Sequence, residues 1–430
     1  RKRNRNGEGS QEPPRKGRDR KGGCDAQNAE YPWIAGTKEF PILTNGKLMT
    51  TPVFHPTEEE FANFYEYAQK LDRLVGHIGV CKVVPPPGWK ARDDDVYTLQ
   101  DSSERLENEC IVKRPIKQNA IGGKGFYVNV HEEKRSMKLG EFKKVAMQQS
   151  AFAASGRNRR PDAAGEGKEA YPAYTMEELD DLEKRFWRNF LFNPPMYGGD
   201  VPAPKGFRED GQPGLFDPRV CGGWDLAKLP SLLTVGLRKK VPGVNTPFLY
   251  VGMYRAAFAW HCEDMDLHSI NYLHFGAPKT WYTVPATHAA RLEAFARAHF
   301  PVQAGQCREF LRHKTNMIEP SILLKAGIPL TRTIHRAGEF IINFPLAYHC
   351  GFNNGYNMAE SCNFATEYWV PFGVQAKPCS CASKQDSVRI DMDAMLAKVG
   401  DVRLKGDQWA ECERCGKWRR LPPYMTFFVG

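Results

Sequence analysis

Phe258-Ala-Trp-His-Cys-Glu-Asp-Met-Asp-Leu-His-Ser-Ile-Asn-Tyr-Leu-His-Phe-Gly-Ala-Pro-Lys-Thr-Trp281 follows an apolar, strand-like run that begins at Pro247. His261 and Glu263 stand two residues apart in it. Residues i and i+2 of an extended chain share a face, so an imidazole and a carboxylate converge there. Far downstream, His349 in Phe344-Pro-Leu-Ala-Tyr-His-Cys-Gly-Phe supplies a second imidazole. Two histidines and one carboxylate are the donor set of the facial triad of non-haem Fe(II) oxygenases, which leaves metal positions open for other ligands.

Composition sets the outer bounds. The chain has 430 residues, enough for two or three domains and a large core, and is 41% hydrophobic and 26% charged, as globular proteins are. No apolar run approaches the roughly 20 residues of a membrane span, and the first residues lack the apolar core of a secretory signal. The formal net charge of +10 is concentrated at the start, where residues 1–22 hold nine Lys/Arg against three acids. Such a tail has too little to bury to fold alone. It suits non-specific DNA contact or nuclear import, and equally a solvated tail with no partner. Twelve cysteines, several in short-spaced pairs, point to a reducing compartment and metal ligation rather than a disulfide scaffold.

Taken in order, Phe40–Met49 reads as a strand with a tight turn at Asn45-Gly46. Thr57 and Glu60 have capping-box spacing, opening one helix whose buried face carries Phe61, Phe64, Tyr65, Ala68 and Leu71. An extended edge from Gly79 stops at the prolines before Trp89. Residues 93–124 read as a long polar loop, Phe126–Val130 as a strand and Lys138–Gln149 as a helix. Residues 150–167, rich in Ala, Gly and Arg, read as a linker. Thr175 caps an amphipathic helix that buries Leu179, Leu182, Phe186 and Trp187. Asn193–Asp200 reads as a rigid turn holding Tyr197, which on residue grounds alone is a packing tyrosine. Trp224–Leu237 reads as a helix, and a further helix runs from Thr287 to Phe300. Strands are expected at Phe248–Trp260, Ile270–Phe275, Thr280–Val284, Glu339–Phe344 and Asn363–Tyr368. The fold class is mainly β with flanking helices, and short strands with Gly/Pro turns suggest a double-stranded β-helix, the cupin-like jelly roll.

These motifs resemble a known family. His55-Pro-Thr-Glu-Glu-Glu-Phe, Lys82-Val-Val-Pro-Pro and Trp89 resemble the JmjN domain. Phe258-Ala-Trp-His-x-Glu, Ser269-Ile-Asn-Tyr-Leu-His-Phe-Gly, Pro278-Lys-x-Trp, Tyr348-His-x-Gly-Phe-Asn and Asn363-Phe-Ala-Thr resemble the trimethyl-lysine branch of the JmjN–JmjC histone lysine demethylases. The resemblance covers roughly residues 30–90 and 171–382. It implies a JmjC barrel with a packed JmjN domain, and a nuclear enzyme acting on the histone H3 tail at lysine 9 or lysine 36, through N-methyl hydroxylation and formaldehyde release. Implied cofactors are Fe(II) on His261, Glu263 and His349, with O2 and 2-oxoglutarate as co-substrates. The resemblance places 2-oxoglutarate on Lys279, Tyr197, Asn271 and Trp281; without it, Lys279 reads as a surface charge after a turn. It also implies a methyl-lysine pocket of Gly243, Tyr250, Glu263, Ser361, Cys362 and Asn363. Cys362 and Phe248 depart from the family's threonine and tyrosine. Cys350 beside His349 replaces an alanine, which suggests an oxidation-sensitive site. Other 2-oxoglutarate hydroxylases, and a chromatin-binding protein without turnover, are the alternatives.

Two sets of cysteines remain. The spacing of Cys307, His313, Cys379 and Cys381 is not finger-like and by itself leaves zinc open; the family resemblance implies a structural Zn(II) there. Trp409-Ala-Glu-Cys412-Glu-Arg-Cys415-Gly-Lys-Trp418 resembles the start of a CW-type zinc finger, whose further two cysteines are not in the sequence. The expected organisation is a basic tail (1–29), JmjN (30–90), a loop, mixed segment and linker (91–170), JmjC with a zinc site (171–382), a linker with one short helix (383–407) and a truncated finger (408–430).

Overall fold

Helix initiation follows the capping chemistry. In the computed structural model, Thr57 Oγ1 accepts from Glu60 N and Glu60 Oε2 accepts from Thr57 N, both at 3.2 Å. The expected single helix is nevertheless two. Asn63 Oδ1 accepts from Tyr65 N at 3.1 Å, capping a new helix, so α1 (Glu58–Phe61) and α2 (Phe64–Val75) meet at a corner. Phe61 and Phe64 pack from that corner on Trp224, at 4.1 and 5.0 Å between ring centres. The described residues are 48–151, 174–237, 239–379, 381, 388–399, 409–411 and 418–420. The basic tail, the turn at Asn45-Gly46, nearly all of the 150–167 linker, and Cys412 and Cys415 lie outside them. Trp409–Glu411 and Trp418–Arg420, on either side of those two cysteines in sequence, pair antiparallel.

The N-terminal part supplies β1 (Leu48–Thr50), β2 (Val53–Phe54) and β3 (Val80–Val83). Next come β4 (Ile111–Val112), β5 (Ile116–Gly123), β6 (Phe126–Glu133), β7 (Met137–Lys138) and β8 (Met196–Val201). The barrel proper uses β9 (Phe248–Gly252), β10 (Ala257–His261), β11 (His268–Gly276) and β12 (Lys279–Val284). It is completed by β13 (Asn316–Ile318), β14 (Leu330–His335), β15 (Phe340–Asn343), β16 (Tyr348–Asn353) and β17 (Asn357–Phe364). One sheet runs β1-β14-β12-β16-β10; the other runs β13-β6-β5-β8-β9-β17-β11-β15-β3-β2. This is the mainly β, flanked-by-helices jelly roll that the strand pattern suggested. The N-terminal strands are part of it: β3 pairs antiparallel with β15 and β1 pairs parallel with β14, so this segment adds strands to both sheets.

Several local expectations are corrected. Residues 93–124 are not one loop; Ser103 caps a helix at Glu104–Glu109, and β5 forms a hairpin with β6. The polar, Gly-rich face of β5 concealed its strand period. Trp224–Leu237 is not one helix, because Asp225 and Ser231 cap the short turns Leu226–Lys228 and Leu232–Gly236 on either side of Pro230. Phe248–Trp260 is two strands, broken where Arg255 takes φ 74°. Tyr197 lies on strand β8 rather than in a turn, and β17 ends at Phe364, before the short turn Glu367–Trp369.

The capped helix Met176–Arg188 is present, and it buries Leu179, Phe186 and Trp187, with Leu182 half-buried. Its Glu183 accepts from Tyr282 Oη at 2.5 Å and Arg332 Nε at 2.6 Å, which ties the helix to β12 and β14. Removing its capping hydroxyl in Thr175→Ala is expected to cost about 1 kcal/mol, read as a lower urea midpoint at unchanged slope.

Candidate active site

Strand register brings the chemistry to one face. His349 on β16 is paired with His261 on β10 and with Thr283 on β12, while Gly351 faces Trp281 and Asn353 faces Lys279. Paired residues project to the same side, so Lys279, Trp281 and His349 all line the interior of the barrel. From the other sheet, Asn271 is opposite Ser361, and Ser361 is opposite Phe248, two residues from Tyr250.

His261, Glu263 and His349 offer ligand atoms that lie within 4.8 Å of one another. Both imidazoles are oriented by their own strands. His261 Nδ1 donates to the Ala259 carbonyl at 2.6 Å and His349 Nδ1 donates to the Ala347 carbonyl at 3.0 Å. A carbonyl can only accept, so each Nδ1 carries a proton, and Nε2 is the ring atom each histidine can offer to a metal. Those Nε2 atoms lie 4.0 and 3.3 Å from Glu263 Oε1. Burial, the partner ring and the Lys314 charge keep His261 neutral, well below its ordinary range. Burial opposes the Glu263 charge, but the close His349 ring and the Lys314 ammonium hold its carboxyl well below the usual range. Two imidazoles and one carboxylate fit a divalent iron ion.

Lys279 is 1% exposed and touches no carboxylate; its Nζ donates to Asn353 Oδ1 at 2.6 Å and Asn357 Oδ1 at 3.3 Å. Burial pushes its ammonium down to about 7. A buried lysine held only by amide oxygens is suited to an acid ligand. On the barrel strands the buried Asn271 Oδ1, Trp281 Nε1, Thr283 Oγ1 and His335 Nδ1 have no partner among the described residues, which leaves polar atoms for a polar guest. The Trp281 ring stands 5.9 Å from His349 and 4.5 Å from Phe258, forming a wall. Tyr197 stands 6.5 Å from Tyr250.

At the mouth, Tyr250 Oη donates to Asp200 Oδ1 at 3.0 Å, which leaves the phenol lone pairs free. Ser361 Oγ donates to the Ile270 carbonyl at 2.8 Å, and Asn363 Nδ2 to the His268 carbonyl at 3.0 Å. Gly243 takes φ +78°, and a Cβ there would meet Phe248 at 2.9 Å. Cys362 differs from its neighbours: its thiol turns to the Leu226 carbonyl at 3.6 Å, on the opposite face of β17 from Ser361 and Asn363. Cys350 likewise packs in the apolar layer behind β16, and burial pushes its thiol well up, away from the reactive thiolate that oxidation sensitivity needs.

Cys307, His313, Cys379 and Cys381 also gather within 4.8 Å. His313 Nε2 lies 3.2 Å from Cys379 Sγ, which is 3.7 Å from Cys307 Sγ. Burial and the neighbouring thiols push Cys307 up to about 12, crowding that a divalent cation would relieve. Residue-by-residue reading missed Asp200, Lys314, Asn353 and Asn357. Of these, only the Asn-rich stretch Asn353-Asn354-Gly355-Tyr356-Asn357 carried a visible signal.

Comparison with known proteins agrees with this geometry. Residues 248–364 match the family described as JmjC domain, hydroxylase, and residues 52–85 match the jmjN domain. The chain is 37% identical over 371 residues to lysine-specific demethylase 4B of Mus musculus, covering 85% of this chain and 30% of that protein. It is 38% identical over 361 residues to probable lysine-specific demethylase 4F of Homo sapiens, covering 83% and 49%. Against lysine-specific demethylase 4D of Rattus norvegicus it is 37% identical over 348 residues, covering 80% and 60%. The chain therefore spans about one third to three fifths of the length of these relatives.

Proposed function

Since the chain carries a JmjN and a JmjC domain, we propose that it is an Fe(II)- and 2-oxoglutarate-dependent dioxygenase that demethylates tri- or dimethyl-lysine of the histone H3 tail, at lysine 9 or lysine 36. The observation that carries this reading is the pairing of a His/Glu/His set with a buried lysine, on one barrel face, that has no acid partner. His261, Glu263 and His349 hold the metal. Lys279 binds the distal carboxylate of the co-acid, with Tyr197 and Asn271 assisting and Trp281 excluding water. A bound iron would supply the oxidising chemistry, in which dioxygen and 2-oxoglutarate are consumed to give succinate, carbon dioxide and a hydroxylated N-methyl group that leaves as formaldehyde. Oxygens of Tyr250, Glu263, Ser361 and Asn363, with the Gly243 backbone, receive the methylammonium through CH···O contacts. The Tyr250 hydroxyl donates its hydrogen bond to Asp200, so toward the substrate the phenol presents lone pairs rather than a donor.

Zinc on Cys307, His313, Cys379 and Cys381 ties the C-terminal segment to the barrel. Histone tails or nucleosomes are the partners, in the nucleus, with the basic N-terminal tail available for non-specific DNA contact. No described helix is long and apolar enough to cross a membrane. Mass spectrometry of trimethylated H3 peptides incubated with Fe(II) and 2-oxoglutarate tests the reading. Methyl loss with equimolar formaldehyde is expected; gain of one oxygen without methyl loss would make the chain a hydroxylase, and no turnover a binding protein.

A further inference from the structure

The turn that carries Glu263 is strained and is held from outside. Met265 and Asp266 both take φ 53°, a left-handed conformation that costs a side-chain-bearing residue on the order of 1–3 kcal/mol where it is not over-determined. Two donors fix this turn. Trp369 Nε1 donates to the Met265 carbonyl at 2.8 Å. Arg312, whose side chain is 8% exposed, donates from Nη1 to the Glu263 carbonyl at 2.8 Å and from Nη2 to Asp266 Oδ1 at 2.6 Å. Asp266 in turn donates its backbone N–H to the Glu263 carbonyl at 3.0 Å and accepts from the Cys262 thiol at 3.4 Å. One planar guanidinium thus spans both ends of the turn, a geometry that a single ammonium cannot reproduce.

Arg312 is itself placed by the second cluster. It occupies the single turn Phe310–His313, and the next residue, His313, points its ring at Cys379, 66 residues further along the chain. The backbone of that turn is therefore anchored wherever His313 is anchored. We propose that Arg312 is a positioning residue which couples the Cys/His cluster to the His/Glu/His site: closing the cluster on its metal fixes Arg312, and Arg312 fixes the turn that aims the Glu263 carboxylate. The coupling rests on the reading of both clusters as metal sites. By reciprocity, whatever the cluster metal contributes to affinity at Glu263, a metal at Glu263 returns to the cluster.

Mn(II), counted as the free ion by electron paramagnetic resonance during titration of the zinc-loaded chain, tests this without turnover. Arg312→Gln is expected to weaken Mn(II) binding 10–100-fold, the usual effect of removing a ligand's outer hydrogen-bond partner. Arg312→Lys should recover only part of it, and Asp266→Asn should weaken binding from the other end of the same contact. Cys381→Ser, which opens the cluster, should weaken Mn(II) binding in the parent and add little in the Arg312→Gln background. Cooperative thermal unfolding checks each variant; should Arg312→Gln fail it, Asp266→Asn carries the same comparison. Unchanged Mn(II) affinity in Arg312→Gln and Asp266→Asn, or fully additive losses with Cys381→Ser, would overturn the coupling while leaving the metal sites standing. A parent chain that binds no Mn(II) would overturn the metal reading and the coupling with it.

Discussion

His261→Ala is expected to lower divalent-metal affinity at the His/Glu/His site by more than the 10–100-fold typical of outer partners, and to reduce methyl loss to background. The reason is geometric. Among the described residues two imidazoles join Glu263 at the common point, each oriented by the Nδ1 proton it donates to the carbonyl two residues back. Removing one leaves Glu263 and His349, a pair too weak to retain iron against water. Because burial keeps His261 neutral, its nitrogen binds metal at neutral pH without releasing a proton. The fold should survive the change, since His261 ends its strand and the apolar layer behind it is untouched. Equilibrium Co(II) absorption would show the loss directly, and an unchanged Co(II) spectrum in His261→Ala would remove this residue from the ligand set.

The second large effect concerns Lys279. Its ammonium is pushed down to about 7 by burial, against an ordinary value of 10.5. Below pH 7 the group is charged in both folded and unfolded chains, and the full cost of burying that charge is present. Between pH 7 and 10.5 the unfolded chain binds the extra proton, so the ligand-free protein gains stability from this group as pH rises through that window. A dicarboxylate beside Lys279 reverses the situation by restoring the charge. Binding of 2-oxoglutarate above pH 7 should therefore take up close to one proton, and affinity should fall as pH rises. Calorimetry in two buffers of different ionisation enthalpy reads the uptake. Lys279→Met removes one partner of a buried charge pair, worth about 3 kcal/mol or roughly a hundredfold in co-acid affinity, and abolishes the proton uptake. Proton uptake that persists in Lys279→Met would place the co-acid elsewhere.

Legibility differed by kind of signal. Thr57/Glu60 and Thr175/Glu178 were readable because a capping box is a contract between residues three apart. The strand period around His261 was readable for the same local reason, and the long-range partners His349 and Lys279 came through the family's motifs. Where side chains compete with the backbone, reading failed: Asn63 split one helix into two, and Asp225 and Ser231 broke another into short turns. Cys362 was assigned to the pocket by the family resemblance, yet strand alternation turns it away from Ser361 and Asn363. Cys350, beside His349 in sequence, has its side chain in the opposite, apolar layer for the same reason.

The sequence by itself determined that an imidazole and a carboxylate, His261 and Glu263, converge on one face, because residue identity and short spacing define chemistry and facing, while the roles of Lys279 and the Cys3His set came through the family resemblance. Only the tertiary structure decided what holds them. It set N-terminal strands β1 and β3 into the barrel's two sheets, turned the Lys279 ammonium to Asn353 and Asn357, directed the Tyr250 hydroxyl to donate to Asp200, and stretched Arg312 across the turn after Glu263. These contacts join residues 46 to 282 positions apart, and no local spacing encodes them. They form because a buried charge or polar group must find a partner wherever packing of the whole chain brings one.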